Sequence, residues 1–358
     1  MMPELIHKKI SELLMKQKIN PNHNLLQELK SETPALRTRI ISELSGLGPL
    51  DELLLDPAIT EILANGPNEI FFEKAGRLQQ HPDAFFSEQS YAAVLDRLAQ
   101  SCNTCLNREK PFVEAQLENR RITLLFGEIA RDQTLLSIRV QPRTQRSLED
   151  FFKMGWCSQK QLSLLRNIFQ LRANFLVVGG TSSGKTSVLQ SLLQLSEPFE
   201  RIVLIEDTRE IMPPNSCSVS LLTRQDPARS VPDVSMEDLL KRALRLRPDR
   251  LVVGEIRGGE ATSLLMALST GHDGSFGSLH ARSAPEALLR LEMLIQMGAP
   301  QWNLLSVRKL IAMSLQYIVV LEKKCGKRIL KGIYEIKSLE ENGLTLHQLD
   351  EGENSDYV

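Results

Sequence analysis

The feature that most restricts this chain is a short segment, residues 179–186, in which two glycines separated by four residues are followed by Lys185 and Thr186. An apolar run precedes it at 173–178, and residues 187–193 have the spacing of a helix. A Walker A phosphate-binding loop requires this position between a strand and a helix. The glycines let the backbone bend so that several N–H groups and the positive helix end face one phosphate chain.

Each residue of this loop is a candidate ligand of a nucleotide. Lys185 is expected to place a positive charge at the β- and γ-phosphates, and the Thr186 hydroxyl is expected to bind Mg²⁺. ATP and Mg²⁺ are the expected ligands. The predicted binding residues are Gly179, Gly180, Thr181, Ser182, Ser183, Gly184, Lys185, Thr186 and Ser187.

Composition places the chain among ordinary globular proteins. With 358 residues, 42% of them hydrophobic, and a formal net charge of −1, it is long enough for two domains. This charge balance gives no general attraction to nucleic acid or to an acidic membrane. There is no apolar stretch of about 18 residues and no apolar signal-peptide core at the start, so a cytoplasmic protein is expected.

The five cysteines are an odd number and widely scattered, which argues against a disulfide framework. Only Cys102 and Cys105 are close together, and no further ligands at suitable spacing complete a zinc site. Both follow apolar residues at helical spacing. They are therefore predicted to be buried in a helix as small apolar side chains, and a redox role is the weaker alternative.

The chain divides by pattern into a helical arm at 1–40, an α+β domain at 41–145, a linker at 146–160 and an α/β domain at 161–358. The last of these alternates strands with helices, which predicts a mostly parallel sheet covered on both faces. It ends in a predicted hairpin. The predicted strands of this domain are 175–178, 202–206, 219–222, 251–254, 277–279, 329–336 and 344–349; its helices follow 185 and span 236–246, 260–269, 285–296 and 304–316.

Acidic residues follow two of these predicted strands. Glu206 and Asp207 end one apolar run, and Glu255 ends another. A lone carboxylate there is usually a helix cap or a solvated loop charge. Two acids at strand ends downstream of a Walker A loop instead favour groups that position water or magnesium beside the phosphates.

A glycine-rich segment at 270–281 contains two histidines around a short predicted strand. His280 is expected to contact a bound phosphate, whereas for His272 a structural role is equally expected. The segment can bring an imidazole close to the loop.

Arginines are the remaining candidates. Arg121 and Arg139 each lie in a predicted strand of the first domain and could act as arginine fingers if that domain closes over a nucleotide. A second group lacks interleaved aromatic residues and has helical spacing, so pairing with acids is favoured over nucleic-acid binding. That group is Arg242, Arg245, Arg247, Arg250 and Arg257.

Four ordered motifs together resemble those of the type II/IV secretion-system ATPases, most closely the CpaF/TadA branch of Flp/Tad pilus assembly. Residues 246–258 look like the Walker B region of that family, and 205–210 look like its Asp box. Residues 270–281 look like its His box, and 46–50 with 65–67 look like the entry to its N-terminal domain.

The resemblance implies an α/β fold with a RecA-like P-loop ATPase domain and a smaller, PAS-like α+β N-terminal domain. It implies a cytoplasmic hexameric ring, associated with the inner membrane through a platform protein. Ser182 departs from the family pattern, which usually has glycine there. The roles implied are water activation by Glu206, Mg²⁺ binding by Glu255 with Thr186, a γ-phosphate contact by His280, and catalytic contributions from Arg121, Arg139 and Arg257.

The expected function is therefore ATP hydrolysis that powers pilus assembly or secretion. Two alternatives remain open. One is a type IV secretion ATPase that exports protein or DNA, and the other is a scaffold that binds ATP without hydrolysing it.

Overall fold

The structure is a computed structural model that describes residues 33–102, 104–117, 119–130, 133–140, 146–224, 231–324, 326–340 and 343–350. The chain divides into two compact units, Met1–Arg143 and Thr144–Val358. Most of the predicted helical arm lies outside the described residues. None of the described helices has both the length and the apolar character needed to cross a bilayer.

The first unit contains a six-stranded antiparallel sheet with strand order β3-β2-β1-β6-β5-β4. Its core forms where Tyr91, Val94 and Leu98, from one face of the helix at Glu88–Ser101, pack on the sheet. These residues have the three- to four-residue spacing of one helix face. The elements are α1 (Pro34–Ser45), α2 (Leu50–Leu55), β1 (Ile59–Ala64), β2 (Ile70–Lys74), β3 (Arg77–Gln80), α3 (Glu88–Ser101), β4 (Phe112–Leu117), β5 (Arg120–Leu125), a 3₁₀ turn (Gly127–Ile129) and β6 (Leu135–Val140).

Helix α3 corrects the prediction for the cysteines. Its apolar face ends at Leu98 and Ala99 and the helix itself ends at Ser101, so Cys105 lies beyond it and is exposed. Cys102 is half-buried, and burial raises the pKa of its thiol. The prediction of a buried helical position is wrong for Cys105 because the helix is shorter than the pattern indicated.

The second unit is built on an eight-stranded sheet with order β14-β13-β12-β7-β11-β10-β8-β9. The six strands from β12 to β9 are parallel, while β13 and β14 add an antiparallel edge. The elements are α4 (Leu148–Lys153), α5 (Gln159–Gln170), β7 (Phe175–Gly179), α6 (Lys185–Leu193), β8 (Ile202–Glu206), β9 (Val219–Leu222), α7 (Met236–Ala243), β10 (Arg250–Ile256), α8 (Glu260–Leu268), β11 (Phe276–Leu279), α9 (Ala284–Gly298), α10 (Leu304–Ser314), β12 (Tyr317–Lys324), β13 (Lys327–Glu340) and β14 (Gly343–Gln348).

Both faces of this sheet are covered, as the alternation of strands and helices predicted. Alternate residues of β7 enter different cores: Val178 packs in the core that includes α7, α8, α9 and α10, and Val177 packs in the core that includes α4, α5 and α6. All five residues of β7 are buried, because this strand lies in the middle of the sheet.

Strand β12 was not among the predicted elements. Only Leu315 and Gln316 separate α10 from β12, and neither is a turn residue, so the predicted helix continued to 316. Periodicity alone does not separate a short apolar strand from the end of a buried helix. The missing strand matters because β12 pairs directly with β7, the strand that leads into the loop.

Candidate nucleotide site

The loop after β7 has the strand–loop–helix geometry that the glycine pattern predicted. Gly184 has φ +99° and caps α6, which begins at Lys185. Ser182 also has a positive φ, +58°, a conformation that costs a residue with a side chain more than it costs glycine. The N–H groups of the first turn of α6 have no partner within the helix and are available to an anion.

Lys185 folds over this loop. Its Nζ donates to the carbonyl oxygens of Gly179 at 3.0 Å and Gly180 at 3.3 Å. Burial lowers the pKa of the ammonium group, and the nearby carboxylates of Glu255 and Glu210 oppose that lowering. Both acids are thus close enough to act on the charge at the loop.

The acidic segment after β8 meets the start of α6. Oε2 of Glu210 accepts a hydrogen bond from the Thr186 hydroxyl at 3.0 Å. Thr186 was a predicted Mg²⁺ ligand. Glu210 belongs to the segment that resembles the Asp box, but no role was predicted for it. The sequence signal that could have identified Glu210 is its position four residues after Glu206, in the same acidic segment.

Glu206 ends β8 and is only 3% exposed. Its Oε1 accepts hydrogen bonds from the backbone N–H groups of Glu210 and Ile211, both at 3.0 Å. Its Oε2 is buried and has no partner among the described residues. Burial raises the pKa of Glu206 to about 7, because the charged carboxylate is costly to desolvate, and the two N–H groups only partly offset this.

Strand β10 is shaped to accommodate Glu206. A Cβ at position 254 would lie 2.9 Å from Cγ of Glu206. Glycine at this position therefore leaves the room that the Glu206 side chain occupies beside β10. The Ser278 hydroxyl on β11 donates to the Gly254 carbonyl at 2.6 Å and fixes this stretch of backbone.

Glu255 follows Gly254 and is about one quarter exposed. Its Oε2 accepts hydrogen bonds from Arg257 Nε at 2.9 Å and Nη2 at 2.5 Å. Arg257 Nη1 also lies 3.5 Å from Oδ2 of Asp207, so this guanidinium links the acids that follow β8 and β10. The hydrogen bond to Glu255 raises the pKa of Arg257, which stays charged.

The two histidines of the glycine-rich segment lie at opposite ends of β11. His280 Nε2 is 3.0 Å from the Thr181 hydroxyl, in the loop itself. His272 precedes the strand, and its Nδ1 is 3.1 Å from the Ala267 carbonyl near the end of α8. Because β11 is parallel to β7, His272 lies at the edge of the sheet away from the loop, and the geometry gives it a structural contact.

Three arginines of the second predicted group, Arg242, Arg250 and Arg257, pair with acids. Arg242 lies 3.5 Å from Asp238, and the buried Arg250 donates to Glu200 at 2.6 Å with its guanidinium 4.0 Å from the Phe169 ring centroid. Arg245 and Arg247 follow the end of α7 at Ala243, so the predicted helical spacing does not extend to them. Arg247, just before Pro248, has a positive φ of +56° and is therefore not helical.

Arg121 and Arg139 belong to the first unit, where they are direct cross-strand partners on β5 and β6. Their neighbours Ile122 and Ile138 are fully buried, so the two arginines point to the other face of the sheet. Arg121 lies 3.6 Å from Glu114, and Arg139 is exposed. Glu61 of β1 is the direct cross-strand partner of Arg139 on its other side, so an acid accompanies each of the two arginines on this face.

One residue contacting the loop had no sequence signal. Arg328, in β13, donates from Nε to the Ser182 carbonyl at 3.0 Å. Its position depends on the pairing of β12 with β7, which was not predicted. The second unit therefore brings Lys185, Thr186, Glu206, Glu255 and His280 together at the carboxyl ends of adjacent strands and adds Glu210 and Arg328 to them.

Comparison with known proteins gives a family-level match over most of the chain. A family model described as type II/IV secretion system protein matches residues 43–352. A Mycobacterium tuberculosis protein whose name links it to conjugal transfer is 31% identical over 325 residues, which cover 88% of this chain and 92% of that protein. The type IV secretion system protein PtlH of Bordetella pertussis is 28% identical over 304 residues, covering 78% of this chain and 89% of PtlH.

Among solved structures, the pilus retraction motor PilT with bound ADP is similar in fold, with a TM-score of 0.56 and 19% sequence identity. The similarity covers 84% of this chain and 80% of that chain. With the two sheets described above, it confirms the predicted fold class, a RecA-like domain with a smaller α+β N-terminal domain.

Proposed function

The chain belongs to the type II/IV secretion system protein family, and from that premise we propose that it is a cytoplasmic, hexameric ATPase that drives pilus assembly or secretion. Its mechanical output would pass to a platform protein of the inner membrane. One observation carries the proposal. The loop after β7 and the polar ends of β8, β10 and β11 converge at one edge of the sheet, where ligands of such folds bind.

ATP is the proposed substrate, with its phosphates on the loop. Lys185 and the N–H groups at the start of α6 bind the phosphate chain, and His280 contacts the γ-phosphate next to Thr181. The Thr186 hydroxyl and Glu255 hold Mg²⁺, and their oxygen atoms are the ligand type that this cation prefers. Magnesium, when bound there, would neutralise charge on the phosphates.

Glu206 is the proposed general base for the attacking water. A base works best with a pKa near the working pH, and burial holds the pKa of Glu206 at about 7. Its Oε2 is buried and has no hydrogen-bond partner among the described residues, so one acceptor of the carboxylate is unused. Glu210 keeps Thr186 in place through the 3.0 Å hydrogen bond and ties its own backbone to Glu206.

Arg121 and Arg139 are the proposed arginine fingers of the N-terminal domain. They lie on the face of β5 and β6 away from the core, where both guanidinium groups would donate charge-assisted hydrogen bonds to phosphate oxygens. Arg257 is proposed to orient Glu255 through its two hydrogen bonds. Domain motion driven by ATP hydrolysis would be the mechanical step of a hexameric ring.

A second candidate function is export by a type IV secretion or conjugation system. The names of the two relatives reported above favour it. Genomic neighbours distinguish the candidates: genes for a prepilin peptidase, pilins and a platform protein support pilus assembly, and conjugation genes support export.

Phosphate release by the purified full-length chain tests the proposal. We expect release from ATP that requires Mg²⁺ and stops with excess EDTA, together with binding of a fluorescent ATP analogue. Binding without any release over many equivalents of ATP would contradict the proposal and support a non-catalytic scaffold.

A further inference from the structure

Three side chains contact the loop, one from the start of α6 and two from outside the strand–loop–helix unit. Lys185 binds the carbonyls of Gly179 and Gly180, and His280 contacts Thr181. Arg328 binds the carbonyl of Ser182, the next residue along. Four successive residues of the loop, 179–182, are thus contacted by three side chains.

Ser182 is where such support matters most. Its φ of +58° lies in the left-handed region, which residues with a Cβ seldom occupy. Within the loop only Gly184 shares a positive φ, and glycine adopts it without steric cost. The loop conformation at Ser182 therefore needs compensation that a glycine there would not need.

The hairpin of β12 and β13 delivers this compensation. Leu321 of β12 pairs with Gly179 at the end of β7, and Lys323 pairs with Arg328 across the hairpin. The hairpin thus extends beyond the carboxyl end of β7 and lies next to the loop. The stem of Arg328 crosses Gly184, where an added Cβ would lie 3.4 Å from its Cδ. No other polar partner of the Arg328 guanidinium is found among the residues that the structure describes.

We propose that Arg328 is a positioning residue for nucleotide binding: its Nε–H holds the Ser182 carbonyl and thereby keeps the loop in the conformation that receives phosphates. A charge-assisted hydrogen bond to a carbonyl is stronger than a neutral one. The arginine acts through Ser182, and its role arises because serine occupies a left-handed position. This inference rests on the proposed binding of ATP at the loop.

The test is a double-mutant cycle on nucleotide affinity, measured with fluorescent ATP and ADP analogues on the full chain. Arg328→Gln is expected to weaken binding on the order of 10-fold, the scale of one lost hydrogen bond from a charged group. In a Ser182→Gly background the same change is expected to weaken binding less than about 2-fold, because glycine needs no support. Lys327→Gln, an equal charge change one residue away at an exposed position, is the matched control and is expected to bind like the wild type.

Three results would overturn the inference. Arg328→Gln could bind like the wild type, or it could weaken binding equally with serine and with glycine at position 182, which would assign Arg328 to direct attraction of phosphate. Loss of affinity in Lys327→Gln as large as in Arg328→Gln would likewise assign the effect to the general charge of the hairpin. Failure of the wild-type chain to bind either analogue would instead contradict the proposed function, and thermal unfolding of each variant checks that it is folded.

Discussion

The carboxylate of Glu210 accepts a hydrogen bond from the Thr186 hydroxyl at 3.0 Å, which joins the segment after β8 to the first turn of α6. Thr186 is the residue through which the site is proposed to hold Mg²⁺. Partners that orient a metal ligand usually affect metal affinity or activity by about 10- to 100-fold.

Glu210→Ala is therefore expected to weaken the apparent affinity for Mg²⁺ in ATP turnover by about 10-fold or more. Glu210→Gln keeps an acceptor for the hydroxyl and is expected to lose less. Titration of turnover with Mg²⁺ measures both, and Glu197→Ala, at an exposed position, serves as control. An unchanged Mg²⁺ requirement in Glu210→Ala would remove Glu210 from the site.

The pKa of Glu206 predicts how turnover depends on pH. A base with a pKa of about 7 is ionised only above that value, so kcat should rise as pH increases through about 7 and then level off. Glu206→Gln should bind ATP yet hydrolyse it at least about 10²-fold more slowly, and it should lose this ionisation from its profile. Turnover like the wild type in Glu206→Gln would assign the base to Glu255 or Glu210.

Burial of Glu206 also affects stability. Its pKa in the folded chain, about 7, lies above the ordinary value of 4.5, so the folded state binds this proton more tightly than the unfolded state. Its stabilising contribution is present below about 4.5 and is lost as pH rises through about 7.

Glu206→Gln, which stays neutral, should therefore raise the midpoint of thermal unfolding relative to the wild type at pH 8 and have little effect at pH 5. Thermal melts of the two proteins at both pH values measure this difference. If the variant were less stable than the wild type at pH 8, the carboxylate would have to be stabilised by more than the backbone N–H groups of Glu210 and Ile211.

The sequence predicted the parts of the site that depend on local order. The spacing of the glycines predicted the loop. Glu206 and Glu255 were predicted as site residues because each lies at the end of an apolar run. In a parallel sheet the carboxyl ends of strands share one edge, so acids that follow strands in sequence also meet in space. His280 was predicted to contact a bound phosphate, which stays a prediction, and the structure places it next to Thr181 of the loop.

Contacts that depend on strand order could not be predicted in the same way. Arg328 reaches Ser182 because β12 lies beside β7, and nothing in the hairpin sequence specifies which strand it joins. His272 and His280 are eight residues apart, and the strand between them separates them to opposite sheet edges. The contact of Glu210 with Thr186 depends on the path of the chain after β8, which the sequence pattern does not specify.

Arg121 and Arg139 test the contribution of the N-terminal domain. If they contact the γ-phosphate, Arg121→Gln and Arg139→Gln should each lower kcat by at least about 10-fold, while affinity for ATP changes much less. Steady-state kinetics with a separate binding measurement distinguishes the two effects. Arg77→Gln, at an exposed position on β3 of the same sheet, is the control, and equal kcat values for all three variants and the wild type would contradict the proposal.

The central claim is that ATP is hydrolysed at the loop that Lys185 closes over. The measurement that tests it most directly is phosphate release by Lys185→Ala beside Lys309→Ala, an exposed lysine of α10, each with its thermal unfolding recorded. We expect Lys185→Ala to be folded and without turnover, and Lys309→Ala to match the wild type. Undiminished hydrolysis by Lys185→Ala would contradict the claim.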